Sequence, residues 1–172
     1  MSFRVVNTEL GDLPTITKWF DESIAYQKKH GYPTWGNYDQ GAIIRDIENK
    51  TYFKAVNDDE MGIVFAVNYT DKIIWRHRDD GQSIYLHRIV VNPAFKGQKL
   101  FGVILDWAKD HVKQKGLKNI RMDTWSNNPT IINYYKSYGF VEIEHYLTPD
   151  TEDLPVHNRN LDLMLLEYRG SL

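Results

Sequence analysis

The apolar positions recur with two different periods, and the switches between them divide the chain into elements. Leu13, Ile16, Trp19, Phe20 and Ile24 lie three or four residues apart. That spacing predicts a helix, because such residues share one face. Asp12 reads as its cap and Pro14 is tolerated in its first turn. Lys28, Lys29 and His30 precede Gly31 at the other end, where cations suit the helix terminus and glycine takes the left-handed exit. A short strand over 3–6 comes before this helix. Ile43, Ile44 and Ile47 predict a second, shorter helix ending near Asn49. Residues 51–56 and 61–69 flank the polar turn Asn-Asp-Asp-Glu and read as a hairpin. Residues 73–76 read as a short strand, Arg-Asp-Asp-Gly-Gln as a turn, and 83–91 as a longer strand.

In the second half, Leu100, Val103, Ile104, Trp107, Ala108, His111 and Val112 mark one face of a helix over 100–115, closed by Gly116. Residues 119–125 predict a strand. Asn128-Pro129 opens a helix running through Tyr138 and ended by Gly139, since asparagine is a favoured cap and proline suits the first helical position. Strands over 140–146 and 161–168, with a polar loop between them, complete the chain. A strand-helix-strand passage requires a parallel pair and a right-handed crossover. The expected fold class is therefore α/β in the α+β sense: a mixed, mostly antiparallel sheet of six to seven strands flanked by about four helices. No repeat or low-complexity stretch divides the 172 residues, so 1–172 is expected to be a single domain, burying roughly 70% of its unfolded surface.

Composition narrows the chemistry. The net charge of -2 and pI near 6.3 argue against a general nucleic-acid or anionic-membrane surface. With no cysteine, disulfides, zinc-thiolate sites and thiol nucleophiles are excluded. A mean hydropathy of -0.52 leaves no room for a membrane span. The N-terminus MSFRVVNTEL has no long apolar stretch of the signal-peptide kind. The expected location is cytoplasmic.

One corner demands more than a turn. Residues 87–105, HRIVVNPAFKGQKLFGVIL, run from an apolar strand through Asn-Pro into an apolar helix with lysines at its mouth. Backbone N-H groups without partners and the helix dipole make a helix start a natural phosphate site. Lys96, Gly97, Gln98 and Lys99 stand where those groups point; the plainer reading is a solvated basic loop. A second motif, NPTIINYYKSYGF at 128–140, follows the strand IRMDTW. Its asparagine, the tyrosine seven residues later and the closing Gly-Phe, taken with VVNPAFKGQ upstream, resemble the Gcn5-related N-acetyltransferase (GNAT) family. The resemblance covers residues 85–143 through motifs, and the first half through element order.

The resemblance implies splayed central strands, with 85–91 diverging from 119–125 and the pantetheine arm of acetyl-coenzyme A between them. Such an arm pairs with backbone much as an added strand does. By position, Ile89, Val90 and Val91 take this role, and Pro93 helps end strand pairing. The diphosphate then rests on Lys96, Gly97, Gln98, Lys99, Leu100 and Phe101. Asn128 matches an asparagine near the pantetheine, and a simple helix cap is compatible with that role. Tyr135 matches the tyrosine that protonates the departing thiolate; the alternative is a packing tyrosine, as read for Tyr134 and Tyr138. Where the family has Arg or Gln, Gly, and Gly or Ala, this chain has Lys96, Lys99 and Phe101. Two accounts compete. In one, Lys99 supplies a point charge while the backbone keeps its helical course; in the other, Phe101 intrudes and the site is altered.

The implied reaction moves an acetyl group to a primary amine by direct attack through a tetrahedral intermediate. An amine with a pKa of about 10 must lose a proton before attack. His87 is the candidate acceptor of that proton, by its match to the arylalkylamine branch of the family, against the alternative of a structural histidine. A backbone N-H near Ile89 to Val91 would meet the developing oxyanion. Trp35, Tyr38 and Trp75 are candidate walls for the acceptor, against the alternative that they cover core edges. Asp39, Asp71, Asp79 and Asp80 are candidates for recognising a cation, with a solvated turn as the other reading of the last two. No metal is expected. The expected partner is a small-molecule amine or peptide, with no nucleic acid or membrane, and the resemblance leaves a homodimer open. A non-catalytic module binding coenzyme A or a partner protein is the alternative function. An ATP site is discounted, because Gly97 is not followed by the Lys-Ser or Lys-Thr of a P-loop.

Overall fold

The computed structural model describes residues 2–34, 36, 38–58 and 60–172. Their elements run β1 (Arg4–Asn7), α1 (Leu13–Lys29), α2 (Gln40–Glu48), β2 (Tyr52–Asn57), β3 (Glu60–Asn68), β4 (Ser83–Val91), α3 (Phe101–Lys115), β5 (Asn119–Trp125), α4 (Pro129–Lys136), β6 (Phe140–Leu147) and β7 (Asp162–Tyr168). Hydrogen bonding orders the strands β1-β2-β3-β4-β5-β7-β6. β4 and β5 pair in parallel, while β1 with β2, β2 with β3, β5 with β7 and β6 with β7 are antiparallel. The seven strands and four helices match the expected class. The last strand of the chain is not at the edge: β7 lies between β5 and β6. Polarity accounts for this, since β7 buries Leu163, Leu165 and Leu166, whereas β6 carries Glu142, Glu144 and His145 and suits an edge.

The chain packs as two compact units, 1–67 with 86–108 and 68–85 with 109–172. In the first, Ile16, Trp19 and Phe20 of α1 and Ile43 and Ile47 of α2 close over Tyr52, Val64, Ala66 and Val90. Each large apolar side chain buried this way contributes about 1.5–3 kcal/mol. In the second, Trp75, Ile74 and Tyr85 pack with Leu163 and Leu165. There the β4–β5 ladder joins Ser83, Ile84 and Tyr85 to Asn119, Ile120 and Arg121. The buried Arg121–Glu167 pair at 2.7 Å and the Tyr85 hydroxyl, which donates to Asp79 at 2.8 Å, fasten that ladder.

Three local expectations are corrected. Residues 73–76 form no strand: the Asp71 carboxylate accepts from the Ile74 amide at 3.2 Å, and Trp75 N donates to Asp71 O at 2.9 Å, which winds the segment into a helical turn leading to a 3-10 helix at Arg76–Arg78. Asp12 stands at the cap position of α1 but its side chain makes no cap bond there. It accepts from the Glu9 amide at 2.8 Å and pairs with Lys54 at 2.8 Å. The buried face of α3 also includes Phe101 and Leu105, while Val103, Trp107 and His111 are only partly covered. No helix among the described residues is long and apolar enough to cross a membrane.

Candidate active site

The helix mouth is built entirely within the first unit. Asn92 stops β4 by donating its backbone amide to Gly62 O at 2.8 Å and its side-chain amide to Met61 O at 2.9 Å. Its Oδ1 accepts from Ala94 N at 3.0 Å and starts the 3-10 turn Pro93–Phe95. The chain then passes through Gly97 at φ +84° and Lys99 at φ +56° before α3 begins at Phe101. The left-handed region costs a residue with a side chain about 1–2 kcal/mol. Lys99 thus adopts a glycine-like conformation, and the expectation that the backbone keeps a helical course through it is corrected. The amides of Gly97 and Leu100 enter no backbone hydrogen bond among the described residues. A Cβ placed on Gly97 would meet nothing within 4 Å, so this face of the turn is open.

Side chains at the mouth separate by type. Lys96, Gly97, Gln98 and Lys99 are exposed, whereas Phe95, Leu100 and Phe101 are 4%, 6% and 2% exposed. The bulk of Phe101 therefore belongs to the packed interior. Lys96 Nζ lies 3.3 Å from the centre of the Tyr26 ring, a cation–π contact that holds one cation beside the turn. Exposed cations and open amides at a helix N-terminus have the chemistry of an anion site.

On β4, His87, Arg88 and Ile89 are half-buried, Val90 is buried and Val91 is exposed. Because the Val90 side chain is in the core, a ligand can meet that residue only through its backbone. Arg88, absent from the expected site, has φ +48° in the middle of the strand, the signature of a bulge. Its guanidinium pairs with Asp46 of α2, and the Tyr52 hydroxyl donates to its carbonyl at 3.2 Å. Burial pushes the Tyr52 hydroxyl pKa up, against the pull of Arg88, so the hydroxyl stays a donor. A charged residue inside the apolar run HRIVV was the sequence signal for this position.

Asn128 and Tyr135 share α4 in the second unit. Asn128 caps it, its Oδ1 accepting from Ile131 N at 3.2 Å. Tyr135 is 8% exposed, with Tyr134 and Phe140 edge-on to its ring at centroid distances of 5.5 and 6.3 Å. Burial, and after it the negative charge of Asp123, raise its pKa above the ordinary tyrosine value. The hydroxyl keeps its proton at neutral pH, as a proton donor must.

The candidate acceptor walls fare differently. Trp35 lies outside the described residues. Tyr38 stacks on Phe20 at 4.8 Å, and its hydroxyl donates to Asp21 at 3.1 Å. With Asp21, Ile24, Ala25, Lys28 and Gly36 it lines a cavity of about 490 Å³. Trp75 is corrected from wall to core: it is 0% exposed, and the Arg121 guanidinium lies 4.7 Å from the centre of its ring. The aspartates make local contacts. Asp39 caps α2 through Ala42 N and pairs with Arg45, and Asp71 holds the helical turn described above. Asp79 accepts from Thr70, Tyr85 and the Asp71 amide, and Asp80 accepts from Gln82 N.

Comparison with known proteins agrees with this architecture. The pattern of the acetyltransferase (GNAT) family matches residues 15–140. The uncharacterized N-acetyltransferase YesJ of Bacillus subtilis is 26% identical over 137 residues, covering 75% of this chain and 76% of that protein. A GNAT-family acetyltransferase from Listeria monocytogenes superposes with a TM-score of 0.73 at 20% identity, over 96% of this chain and 93% of that one. The PaiA N-acetyltransferase of Thermoplasma acidophilum, solved in complex with coenzyme A, gives a TM-score of 0.70 at 16% identity, over 99% and 100% of the two chains. The match spans well over half of the sequence, and the chain belongs to the acetyltransferase (GNAT) family and is an acyltransferase.

Proposed function

We propose that residues 1–172 work as one N-acetyltransferase domain that moves an acetyl group from acetyl-coenzyme A to a primary amine. The observation that carries this is the open turn at the mouth of α3, where Gly97 and Lys99 are left-handed, the lysines are exposed and Phe101 is packed inside. A backbone of this shape fits a diphosphate without needing a glycine at Lys99. The coenzyme A complex of the PaiA structure supports the same choice of donor. The thioester supplies an activated acetyl group with a good leaving group; the roles below fall to this chain.

Lys96, Gly97, Gln98, Lys99, Leu100 and Phe101 hold the diphosphate, by backbone amides and by the two ammonium groups. The backbone of Ile89, Val90 and Val91 pairs with the pantetheine amides, and an N-H in this stretch meets the negative charge that grows on the thioester oxygen. His87 takes the proton that the amine sheds. Tyr135 returns a proton to the leaving thiolate, whose conjugate acid has a pKa of about 8.5; its hydroxyl carries the proton at neutral pH. Asn128 positions α4. Asp21 and Tyr38 form the wall that meets the acceptor, a small amine or a peptide. A cytoplasmic location follows from the same reading, as the compartment of the acetyl donor.

Calorimetry with acetyl-coenzyme A and a thiol-release assay over a panel of amines test the proposal. Donor binding together with amine-dependent release is the expected result. Binding without release from any amine would favour the non-catalytic module, for which the strained lysine at the turn is the supporting observation. Failure to bind would sink both readings.

A further inference from the structure

We propose that Asp46, Arg88 and Tyr52 form a latch that holds β4 in its left-handed kink, and that they are positioning residues for the acetyl-transfer step. The inference rests on the acetyltransferase reading and concerns residues to which that reading gives no role. Among the described residues, Arg88 alone combines a positive φ with a place inside a strand. A long side chain disfavours that conformation, so it persists only where the surroundings impose it.

Two restraints do so here, and they come from different elements. The carboxylate of Asp46 on α2 grips the guanidinium, with the two side chains 15% and 28% exposed. The hydroxyl of Tyr52 on β2, in a residue with no exposure, donates to the Arg88 carbonyl at 3.2 Å. Arg88 Nε is buried and has no hydrogen-bond partner. The guanidinium is therefore placed for Asp46 at the expense of its own satisfaction. A strand that only had to pack would be served by an apolar residue in extended conformation.

Position in sequence says what the kink is for. Arg88 stands between His87 and Ile89, so its ψ fixes the direction of the Ile89 amide. A kink there turns that amide relative to the regular ladder. Asp46 lies on the helix that begins directly after Tyr38 and Asp39, so the latch also ties the acceptor wall to the donor strand.

The test compares Asp46→Asn, Tyr52→Phe, Arg88→Ala and Arg88→Gly with the parent. The measurements are acetyl-coenzyme A affinity by calorimetry, kcat by thiol release with an amine found in the panel, and crystal structures of the parent and Asp46→Asn. Loss of the latch is expected to lower kcat by about 10- to 100-fold, the scale of a misaligned reacting group, and to change donor affinity by less than about 3-fold. Arg88→Gly, which accepts a positive φ without help, is expected to keep at least about 5-fold more activity than Arg88→Ala. Unchanged kcat in Asp46→Asn, or equal activity in the glycine and alanine variants, overturns the proposal. If the parent turns over no amine, the acetyltransferase reading fails on its own. The latch is then judged by the structures: an extended residue 88 in Asp46→Asn supports it, and a retained positive φ overturns it.

Discussion

Lys99 offers a way to separate backbone shape from charge at the helix mouth. With φ at +56° it bears about 1–2 kcal/mol of left-handed strain. Lys99→Gly removes that strain and returns roughly 0.4–1 kcal/mol of it as added freedom in the unfolded chain. The net expectation is a gain of about 0.5–1 kcal/mol. In a chain of this size that raises the thermal midpoint by roughly 1–4 °C. Lys99→Ala keeps the strain and, at an exposed position, should leave stability within about 0.5 kcal/mol of the parent. Both variants remove the same ammonium group. Each should therefore weaken acetyl-coenzyme A binding by about 2- to 5-fold, the worth of about 0.3–1 kcal/mol for an exposed charge near a helix end, and the difference should shrink as salt is added. Calorimetric melting and titration at two ionic strengths give all four numbers. If the alanine variant is stabilised as much as the glycine one, or the glycine variant melts lower than the parent, the left-handed account of the turn is wrong. If binding is unaffected in both, Lys99 does not face the diphosphate.

Tyr135→Phe keeps the ring contacts with Tyr134 and Phe140, so the melting point should move by only a few degrees while kcat falls by about 10²–10⁴; an undiminished kcat in the thiol-release assay would remove the proton-donor role. Because burial raises the Tyr135 pKa, this group should contribute no alkaline limb to the kcat profile below about pH 10. Trp75→Ala should lower the denaturant midpoint by the equivalent of about 3–5 kcal/mol, and a stable variant with an altered acceptor KM would restore Trp75 to the cleft. For Asp79, burial alone would raise the pKa, but hydrogen bonds from Thr70, Tyr85 and the Asp71 amide outweigh it and the value is lowered. A depressed carboxylate pKa gives stability that is present above the unfolded value of about 3.9 and lost as pH falls through the folded one. Acid titration of Asp79→Asn should therefore show a shallower loss of stability below about pH 4 than the parent.

The sequence by itself determined the elements whose signals are local. Strand 83–91 and strand 119–125 were readable to the residue, because apolar runs bounded by turn residues need no distant partner to be recognised. The cap at Asn128 was equally plain, since it is settled within one helical turn, whereas α4 ends at Lys136 with Ser137 as its C-cap, short of the expected run through Tyr138 to a stop at Gly139. Family membership was legible for the same reason, its motifs being contiguous at the ends of strands. Only the tertiary structure decided what depends on contacts far along the chain. Residues 73–76 have the composition of a strand, but the Asp71 side chain winds them into a turn, and the packing of Leu163 and Leu165 takes Trp75 into the core. The placement of β7 inside the sheet came from competition between two strands for the buried position. The kink at Arg88 was hidden most completely: it is held by Asp46 and Tyr52, which lie 42 and 36 residues away in the chain, and no local pattern encodes a restraint at that distance.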